Sequence, residues 1–338
     1  MRAIVCDAFG APNDVAHVTE VALPPEPGMG EVAITVSHAT VSHATDLLIR
    51  GRYQSQPPLP FTPGTELVGR VRALGPGVRG LALGDRVLGL SRWGCYAEHV
   101  NIAAHTVYPI EPGLTMLDAL PLPLSYGTAY TALVWKVGLQ PSDTVLVLGA
   151  GSGVGLAAVD LASAMGARVI ACASSEQKRA RARAHGADLA FAPDETLVQQ
   201  IKAASPQGVN IIFDPVGGDL MEMAFKAAAQ GSQIISIGFA AGRVPQLPLN
   251  IMLVKNLTLH GFFFGKYLGW TPVDERARFE TDMRAMMRAL MQLTHQGRIQ
   301  PQITATYPME QLCQAIDDLH QRRVQGKIAL AIGAQSLE

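Results

Sequence analysis

The stretch Thr144-Val-Leu-Val-Leu-Gly-Ala-Gly-Ser-Gly-Val-Gly155 decides the fold of half the chain. Its apolar run ends at Leu148, and small and apolar residues continue from Val154 to Met165. Between them stand four glycines: Gly149, Gly151, Gly153 and Gly155. An apolar run bounded in this way predicts a buried strand, and the stretch after it predicts a helix. Because glycines let the backbone turn tightly and approach a ligand, and a helix N-terminus attracts pyrophosphate, the stretch predicts a nicotinamide dinucleotide site rather than an ordinary turn.

The composition predicts a well-buried protein of two domains. The chain has 338 residues, of which 48% are hydrophobic and 16% charged, and a net charge of −1 gives no reason to expect nucleic acid as a partner. The N-terminus is typical of a strand and predicts no signal peptide. No segment of about 18 apolar residues without charge occurs, so we expect no membrane span. The four cysteines lack metal-ligand or disulfide spacing, so we expect a reduced, cytoplasmic protein.

Strand and turn patterns dominate the first 120 residues. Three short alternating segments, 31–36, 67–74 and 84–88, are separated by Gly and Pro and predict a small β-barrel-like domain. From Leu124 onward, helices predicted at 126–136, 154–165, 177–185 and 220–228 alternate with strands predicted at 144–148, 168–173, 210–213 and 232–237. This alternation predicts an α/β fold with a doubly wound parallel sheet.

The last part of the chain changes pattern again. Two amphipathic helices are predicted at 276–296 and 309–321, and a final strand at 327–332. We expect this strand to return to the first domain. The segment 250–261 predicts a helical turn followed by an edge strand.

Several segments carry a family resemblance beyond the glycine loop. They are 60–69 (PFTPGTELVG), 84–87 (GDRV), 126–133 (YGTAYTAL), 214–218 (DPVGG) and 237–238. Together they resemble the medium-chain dehydrogenase/reductase superfamily, in its zinc-free quinone reductase branch, over essentially the whole chain. The resemblance implies a GroES-like catalytic domain at 1–122 and 266–338, split around a Rossmann cofactor domain at 123–265.

The glycine loop departs from the dinucleotide fingerprint G-x-G-x-x-G. Gly149 and Gly151 fit, but Val154 stands in the final place. The loop instead is similar to the relaxed form of the family, small-x-x-small-Gly-Val-Gly. The resemblance implies cofactor contacts from Gly149, Ser152, Gly153, Val154 and Gly155.

The end of the second strand predicts NADPH rather than NADH. An NAD site usually places Asp or Glu there, but Ala173, Ser174 and Ser175 occupy these positions. Small hydroxyls followed by cations suit a 2′-phosphate. In similar proteins a Ser and a Lys of this segment bind that phosphate, which implies Ser174 and Lys178. Glu176 comes later, and we expect it to point away. The alternative is that Lys178, Arg179, Arg181 and Arg183 form a solvated helix face, which we expect for Arg181 and Arg183.

The resemblance places the zinc-ligand positions of related dehydrogenases at His43 and Thr65, next to Glu66. Catalytic zinc needs three protein ligands, and threonine is a poor one. We therefore expect no metal, and Glu66 as a structural hydrogen-bond partner. Without zinc, hydride must go to an electron-poor acceptor such as a quinone or an α,β-unsaturated carbonyl. The resemblance implies Tyr53 as hydrogen-bond or proton donor to the acceptor oxygen, with His43 assisting. Alternatively, both are structural.

Aromatic residues predict a flat pocket for the acceptor. Trp93, Tyr126 and Phe263 are its candidate lining residues, although each alone is equally typical of a core. Three further residues are candidates for the nicotinamide end of the site: Thr128, Gly238 and Phe239.

Three functions remain open on the sequence. The first is an NADPH-dependent quinone reductase. The second is an enoyl reductase acting on 2-alkenals or enoyl thioesters, for which Arg50, Arg52 and Arg92 would supply a basic patch. The third is an NADPH-binding protein without turnover. By analogy with similar proteins, which pair the 250–261 edge, we expect a homodimer.

Overall fold

The computed structural model describes residues 1–321, 323–324 and 326–333. The chain divides into two compact units. Unit 1 comprises Met1–Leu124, Gly265–His295 and the chain from Pro301 onward, and unit 2 comprises Ser125–Phe264 and Gln296–Gln300. The sequence-based boundaries stand at 122/123 and 265/266. Gln296–Gln300 groups with unit 2, where the Gln300 N–H donates to Asp160 Oδ2 at 2.6 Å.

The first part of unit 1 consists mainly of strands. They are β1 (Arg2–Cys6), β2 (Ala16–Glu20), β3 (Glu31–Val41), β4 (Glu66–Leu74), β5 (Arg86–Leu90), β6 (His99–Ala103) and β7 (Val107–Pro109). Three short helices accompany them: α1 (Pro12–Val15), α2 (His43–Ile49) and α3 (Met116–Ala119). β3 is long and almost wholly buried, because it pairs with β4 and β6 and lies at the centre of the sheet.

Unit 2 alternates helices and strands as the sequence predicted. A helical segment covers 122–136, with α4 (Gly127–Tyr130) between two wider helical turns. The strands that follow are β8 (Thr144–Leu148), β9 (Arg168–Cys172), β10 (Leu189–Phe191), β11 (Val209–Asp214), β12 (Ala228–Ser236) and β13 (Thr258–Gly261). The helices are α5 (Gly153–Ala164), α6 (Glu176–Ala184), α7 (Leu197–Ala204), α8 (Gly218–Ala224) and α9 (Leu249–Lys255).

The sheet of unit 2 has the order β10-β9-β8-β11-β12-β13, and all its neighbours are parallel. In order along the chain this is 3-2-1-4-5-6, the arrangement of dinucleotide-binding sheets. The predicted doubly wound fold is therefore confirmed. β8 is completely buried between β9 and β11, and its carboxyl end lies where the strand order reverses. Ligands bind at this switch point in open α/β sheets.

The C-terminal part of the chain completes unit 1. It contains α10 (Arg276–His295), β14 (Ile303–Pro308), α11 (Leu312–His320) and β15 (Lys327–Ala331). β15 pairs antiparallel with β3 and parallel with β14, so the prediction that the last strand returns to the first domain is confirmed. The resulting seven-stranded sheet and its core, which includes Ile34, Leu67 and Ile328, confirm the GroES-like second domain.

Two predicted helices have different bounds in the structure. The helix predicted at 220–228 stops as α8 at Ala224, and one tight helical turn leads into β12 at Ala228. The helix predicted at 309–321 begins with a tight turn, and its α-helical part is α11. In the described part of the chain, no helix is both long and apolar enough to cross a membrane.

Candidate active site

The loop between β8 and α5 forms a close-packed cradle. Gly149 has a φ of +61°, which glycine adopts without strain. The Ser152 hydroxyl donates to Gly149 O at 2.8 Å and accepts from the Gly155 N–H at 3.1 Å, which caps α5. A Cβ on Gly155 would lie 2.2 Å from Gly149 O, so only glycine fits. The cradle therefore brings backbone N–H groups of Gly153 and Val154 to a helix N-terminus, as a pyrophosphate requires.

The loops that follow neighbouring strands contact one another along the carboxyl edge of the sheet. A Cβ on Gly149 would lie 2.8 Å from Val216 Cγ2, after β11. A Cβ on Gly217 would lie 2.9 Å from Phe239 Cδ1, after β12, and Gly238 lies beside Pro215 O. This edge thus unites the glycine loop with Gly238 and Phe239. An edge at which Gly149 and Gly217 are too crowded to accept a side chain fits a dinucleotide bound close to the backbone.

The segment after β9 contributes the cations. Ser174 is exposed, and the Ser175 hydroxyl accepts from the Lys178 N–H at 3.3 Å to cap α6. The alkyl chain of Lys178 packs on the cradle, because a Cβ on Gly151 would lie 2.6 Å from Lys178 Cδ. The expected solvated face is wrong for Arg181, which is half-buried, so that burial lowers the pKa of its guanidinium.

His43 and Tyr53 lie in unit 1. His43 is the exposed first residue of α2, where the Ser42 hydroxyl accepts from the Thr45 N–H at 3.3 Å. Tyr53 is half-buried against the core, and burial raises the pKa of its phenol. No hydrogen bond of the Tyr53 hydroxyl is found within the described residues, whereas Tyr307 in the same unit donates to Asp318 Oδ2 at 2.8 Å. Tyr53 therefore carries a protonated hydroxyl that its own unit does not use.

His43 has a neighbour that no sequence pattern indicated. Its ring contacts the ring of His320, from α11, with centroids 5.4 Å apart and planes at 60°. The His320 Nε2 lies 3.1 Å from Oδ2 of the buried Asp46, which also accepts from Arg50 Nε at 2.9 Å. His320 is separated from His43 by most of the chain. Only the packing of α11 on α2 brings the two imidazoles together.

Glu66 is fully buried and fully engaged. Its Oε2 accepts from the Thr40 hydroxyl at 2.6 Å and lies 3.1 Å from Lys327 Nζ, and its Oε1 accepts from the Leu124 N–H at 2.8 Å. This confirms Glu66 as a structural hydrogen-bond partner. Lys327 is equally buried, so the two charges neutralise each other inside unit 1.

Comparisons with known proteins agree with this geometry. Residues 28–112 match the alcohol dehydrogenase GroES-like domain, and residues 153–291 match the zinc-binding dehydrogenase family. The rat quinone oxidoreductase-like protein 2 is 33% identical over 98% of this chain and 92% of its own length. The chain belongs to the medium-chain dehydrogenase/reductase family. Quinone oxidoreductase from Lama guanicoe is 30% identical over 98% of both chains.

A solved structure of the same fold contains a nicotinamide cofactor. A mycobacterial protein solved in complex with NADPH superimposes with a TM-score of 0.88, at 25% identity, over 98% of this chain and 100% of the other. The residues of the present chain fit such a cofactor at the glycine cradle. This medium-chain reductase is therefore an NAD(P)-dependent oxidoreductase.

The aromatic residues predicted to line a pocket belong to different units. Tyr126 is buried inside unit 2, where its hydroxyl donates to Asp160 Oδ2 at 2.7 Å. This placement gives it a structural role and no support as a lining residue. Thr128 is buried in the same helical segment, and Phe263 is partly exposed after β13. In unit 1, Trp93 is half-buried under the Arg92 guanidinium, 5.7 Å from the ring centroid.

Two of the three arginines considered for a basic patch form hydrogen bonds within unit 1. Arg50 is bound to the Asp46 carboxylate through both oxygens. Arg92 donates to Gly269 O at 2.9 Å while it covers Trp93. Both guanidinium groups are committed to contacts within unit 1 of this medium-chain enzyme. The Arg52 side chain is exposed, and no hydrogen bond or ion pair of its guanidinium is found among the described residues.

Proposed function

We propose that this chain is an NADPH-dependent reductase that delivers hydride to a quinone without zinc. The observation that carries the proposal is a dinucleotide cradle in a family member whose zinc-ligand positions hold His43 and Thr65. NADPH, when bound, supplies the hydride. The chain's own residues then have to orient the acceptor and satisfy the charge that develops on its oxygen.

The donor set supports a zinc-free mechanism. A catalytic zinc site has three protein ligands, commonly Cys, His or carboxylate. Thr65 provides no such ligand, and both carboxylate oxygens of Glu66 accept hydrogen bonds from the protein. No group of three His, Cys, Asp or Glu side chains within the described ranges is arranged to hold a metal ion.

We propose that the Tyr53 hydroxyl donates a hydrogen bond to the acceptor oxygen. Its raised pKa keeps the phenol protonated at every pH below its ordinary value of about 10, so the hydroxyl can donate throughout the working range. We propose that His43, the first residue of α2 in the same unit, assists Tyr53. The His320 ring, whose Nε2 lies beside the Asp46 carboxylate, contacts the His43 ring and restricts the orientation of the His43 imidazole.

For the cofactor, the β9–α6 segment favours NADPH over NADH. Lys178 lies against Gly151 of the cradle, and Ser174 is exposed at the end of β9. Both suit the 2′-phosphate through charge-assisted hydrogen bonds. Thr128, Gly238 and Phe239 remain our candidates for the nicotinamide end, and Trp93 and Phe263 for the acceptor ring.

Quinone is preferred over an enoyl thioester because Arg50 and Arg92 are committed elsewhere. The names of the relatives also favour a quinone. The test is NADPH oxidation, followed by absorbance, with an ortho-quinone and a short enoyl thioester in parallel, and NADH in a matched set. We expect turnover on the quinone with NADPH, and at least about tenfold lower kcat/KM with NADH. Faster turnover on the thioester would support the enoyl reductase. Tight NADPH binding without turnover on either would support a binding protein.

We also propose a homodimer formed through the edge of the unit 2 sheet. β13 is the last strand of that sheet. Beside it, α9 exposes three large apolar side chains, Leu249, Leu253 and Val254, which are 74%, 76% and 67% accessible. An exposed strand edge next to an apolar helix face is unfavourable in a monomer, and a twofold copy would cover both.

A further inference from the structure

Glu176 is the only carboxylate between Arg168 and Ala184, the segment that carries β9 and α6. It is the first residue of α6, and Ala173, Ser174 and Ser175 separate it from the end of β9, where an NAD site keeps its acidic residue. A carboxylate here would bind a ribose 2′-hydroxyl and would repel a 2′-phosphate. Its state therefore bears directly on which cofactor the site accepts.

Both oxygens of Glu176 are occupied by arginines from its own helix. Arg179 Nε donates to Oε2 at 3.0 Å, and Arg183 donates to Oε1. The three residues stand at i, i+3 and i+7, so they share one face of α6. Arg179 is fixed further, because it also donates to Ala173 O at 2.9 Å, at the end of β9. The two cations and one anion leave this cluster with a net positive charge.

We propose that Arg179 and Arg183 form a clamp that determines cofactor specificity by holding Glu176 away from the ribose. This rests on the proposed NADPH function and names the residues that enforce it. With the clamp closed, both carboxylate oxygens of Glu176 already accept hydrogen bonds from arginines, which disfavours a contact with the 2′-hydroxyl, and the local positive charge favours a phosphate dianion. With Arg183 removed, one oxygen of Glu176 is released and the cluster loses its net charge.

Arg183 is the residue to change, because Arg179 also supports the backbone at Ala173. The Arg183 side chain is 42% exposed, so Arg183→Gln removes the charge without opening a core. The control variants for Arg183→Gln are Glu176→Gln and the double variant E176Q/R183Q. The readout is the dissociation constant for NADPH, for NADH, and for the fragments adenosine 2′,5′-bisphosphate and AMP, each at low and high salt.

For R183Q we expect NADPH and the bisphosphate to bind about tenfold more weakly, while NADH and AMP stay within about twofold. The difference should shrink at high salt, because the cluster is exposed. In E176Q/R183Q the affinity for NADPH should return to within about threefold of the wild type, because the repelling carboxylate is gone.

Results of two kinds, one from R183Q and one from the double variant, would overturn the clamp. One is an equal loss for NADPH and NADH in R183Q, or no loss at all. The other is a double variant as weak as R183Q, which would mean that Arg183 binds the phosphate itself. The ratio of NADPH to NADH affinity in the wild type tests the proposed cofactor separately. A wild type that prefers neither cofactor would reject NADPH as the cofactor. The change in this ratio caused by R183Q would still test the clamp.

Discussion

Replacing Lys327 by methionine is expected to lower the free energy of unfolding of unit 1 by about 3–5 kcal/mol. Lys327 and Glu66 are both buried, and their charged atoms are 3.1 Å apart. Without the ammonium, the Glu66 carboxylate keeps only the hydrogen bonds from Thr40 and Leu124 and becomes an uncompensated buried charge. Urea unfolding followed by circular dichroism measures the loss.

Two control variants distinguish the cost of leaving a buried charge unpaired from the cost of breaking any ion pair. The double variant E66Q/K327M removes both charges and should recover most of the stability, since a neutral pair needs no compensation. Arg2→Gln breaks an ion pair with Glu98 at 2.8 Å, but Arg2 is 44% exposed, so we expect a loss of about 1 kcal/mol or less. If K327M were no more destabilising than R2Q, the buried pair would not have the structural role assigned to it.

Tyr53→Phe is expected to lower kcat/KM for the quinone about 100-fold, with the dissociation constant for NADPH unchanged. The substitution deletes one hydroxyl that is protonated and unused within unit 1. If this hydroxyl donates to the acceptor oxygen, only the reaction step loses stabilisation. Steady-state kinetics and a direct cofactor titration on the same preparation measure the two quantities.

Tyr307→Phe is the matched control for Tyr53→Phe. It removes the same atom from the same unit, but the Tyr307 hydroxyl is bound to Asp318. We expect it to cost some stability and to leave kcat/KM within about twofold of the wild type. A Y53F enzyme with wild-type turnover would exclude Tyr53 as the donor and leave His43 as the candidate to examine.

The cofactor half of the fold was predictable because parallel strands are buried on both faces. β8, β9 and β11 therefore appear in the sequence as short, mostly apolar runs. The hydrophobic pattern of the sequence did not predict β10 or α7. β10 has only three residues, all half-buried at the sheet edge, so no continuous apolar run marks it. β2 was missed for a similar reason, since four of its five residues are exposed.

The residues of the site were predictable only where a local motif fixes them. The cradle is one such case, because it lies in one short stretch of sequence, in which Gly155 packs against Gly149 O and Ser152 caps α5. Asp46–Arg50 and Glu176–Arg179–Arg183 also have helical spacings that could have been recognised in the sequence. The contacts of His320 with His43 and of Lys327 with Glu66 have no such signal, because they join segments far apart in the chain.

The central claim is that this medium-chain enzyme reduces a quinone with NADPH and needs no zinc. The most direct test measures zinc content and NADPH–quinone turnover on one sample, before and after dialysis against a strong chelator. We predict far less than one zinc per chain and a rate that chelation leaves unchanged. Stoichiometric zinc, with turnover lost on chelation and restored by added zinc, would contradict the claim.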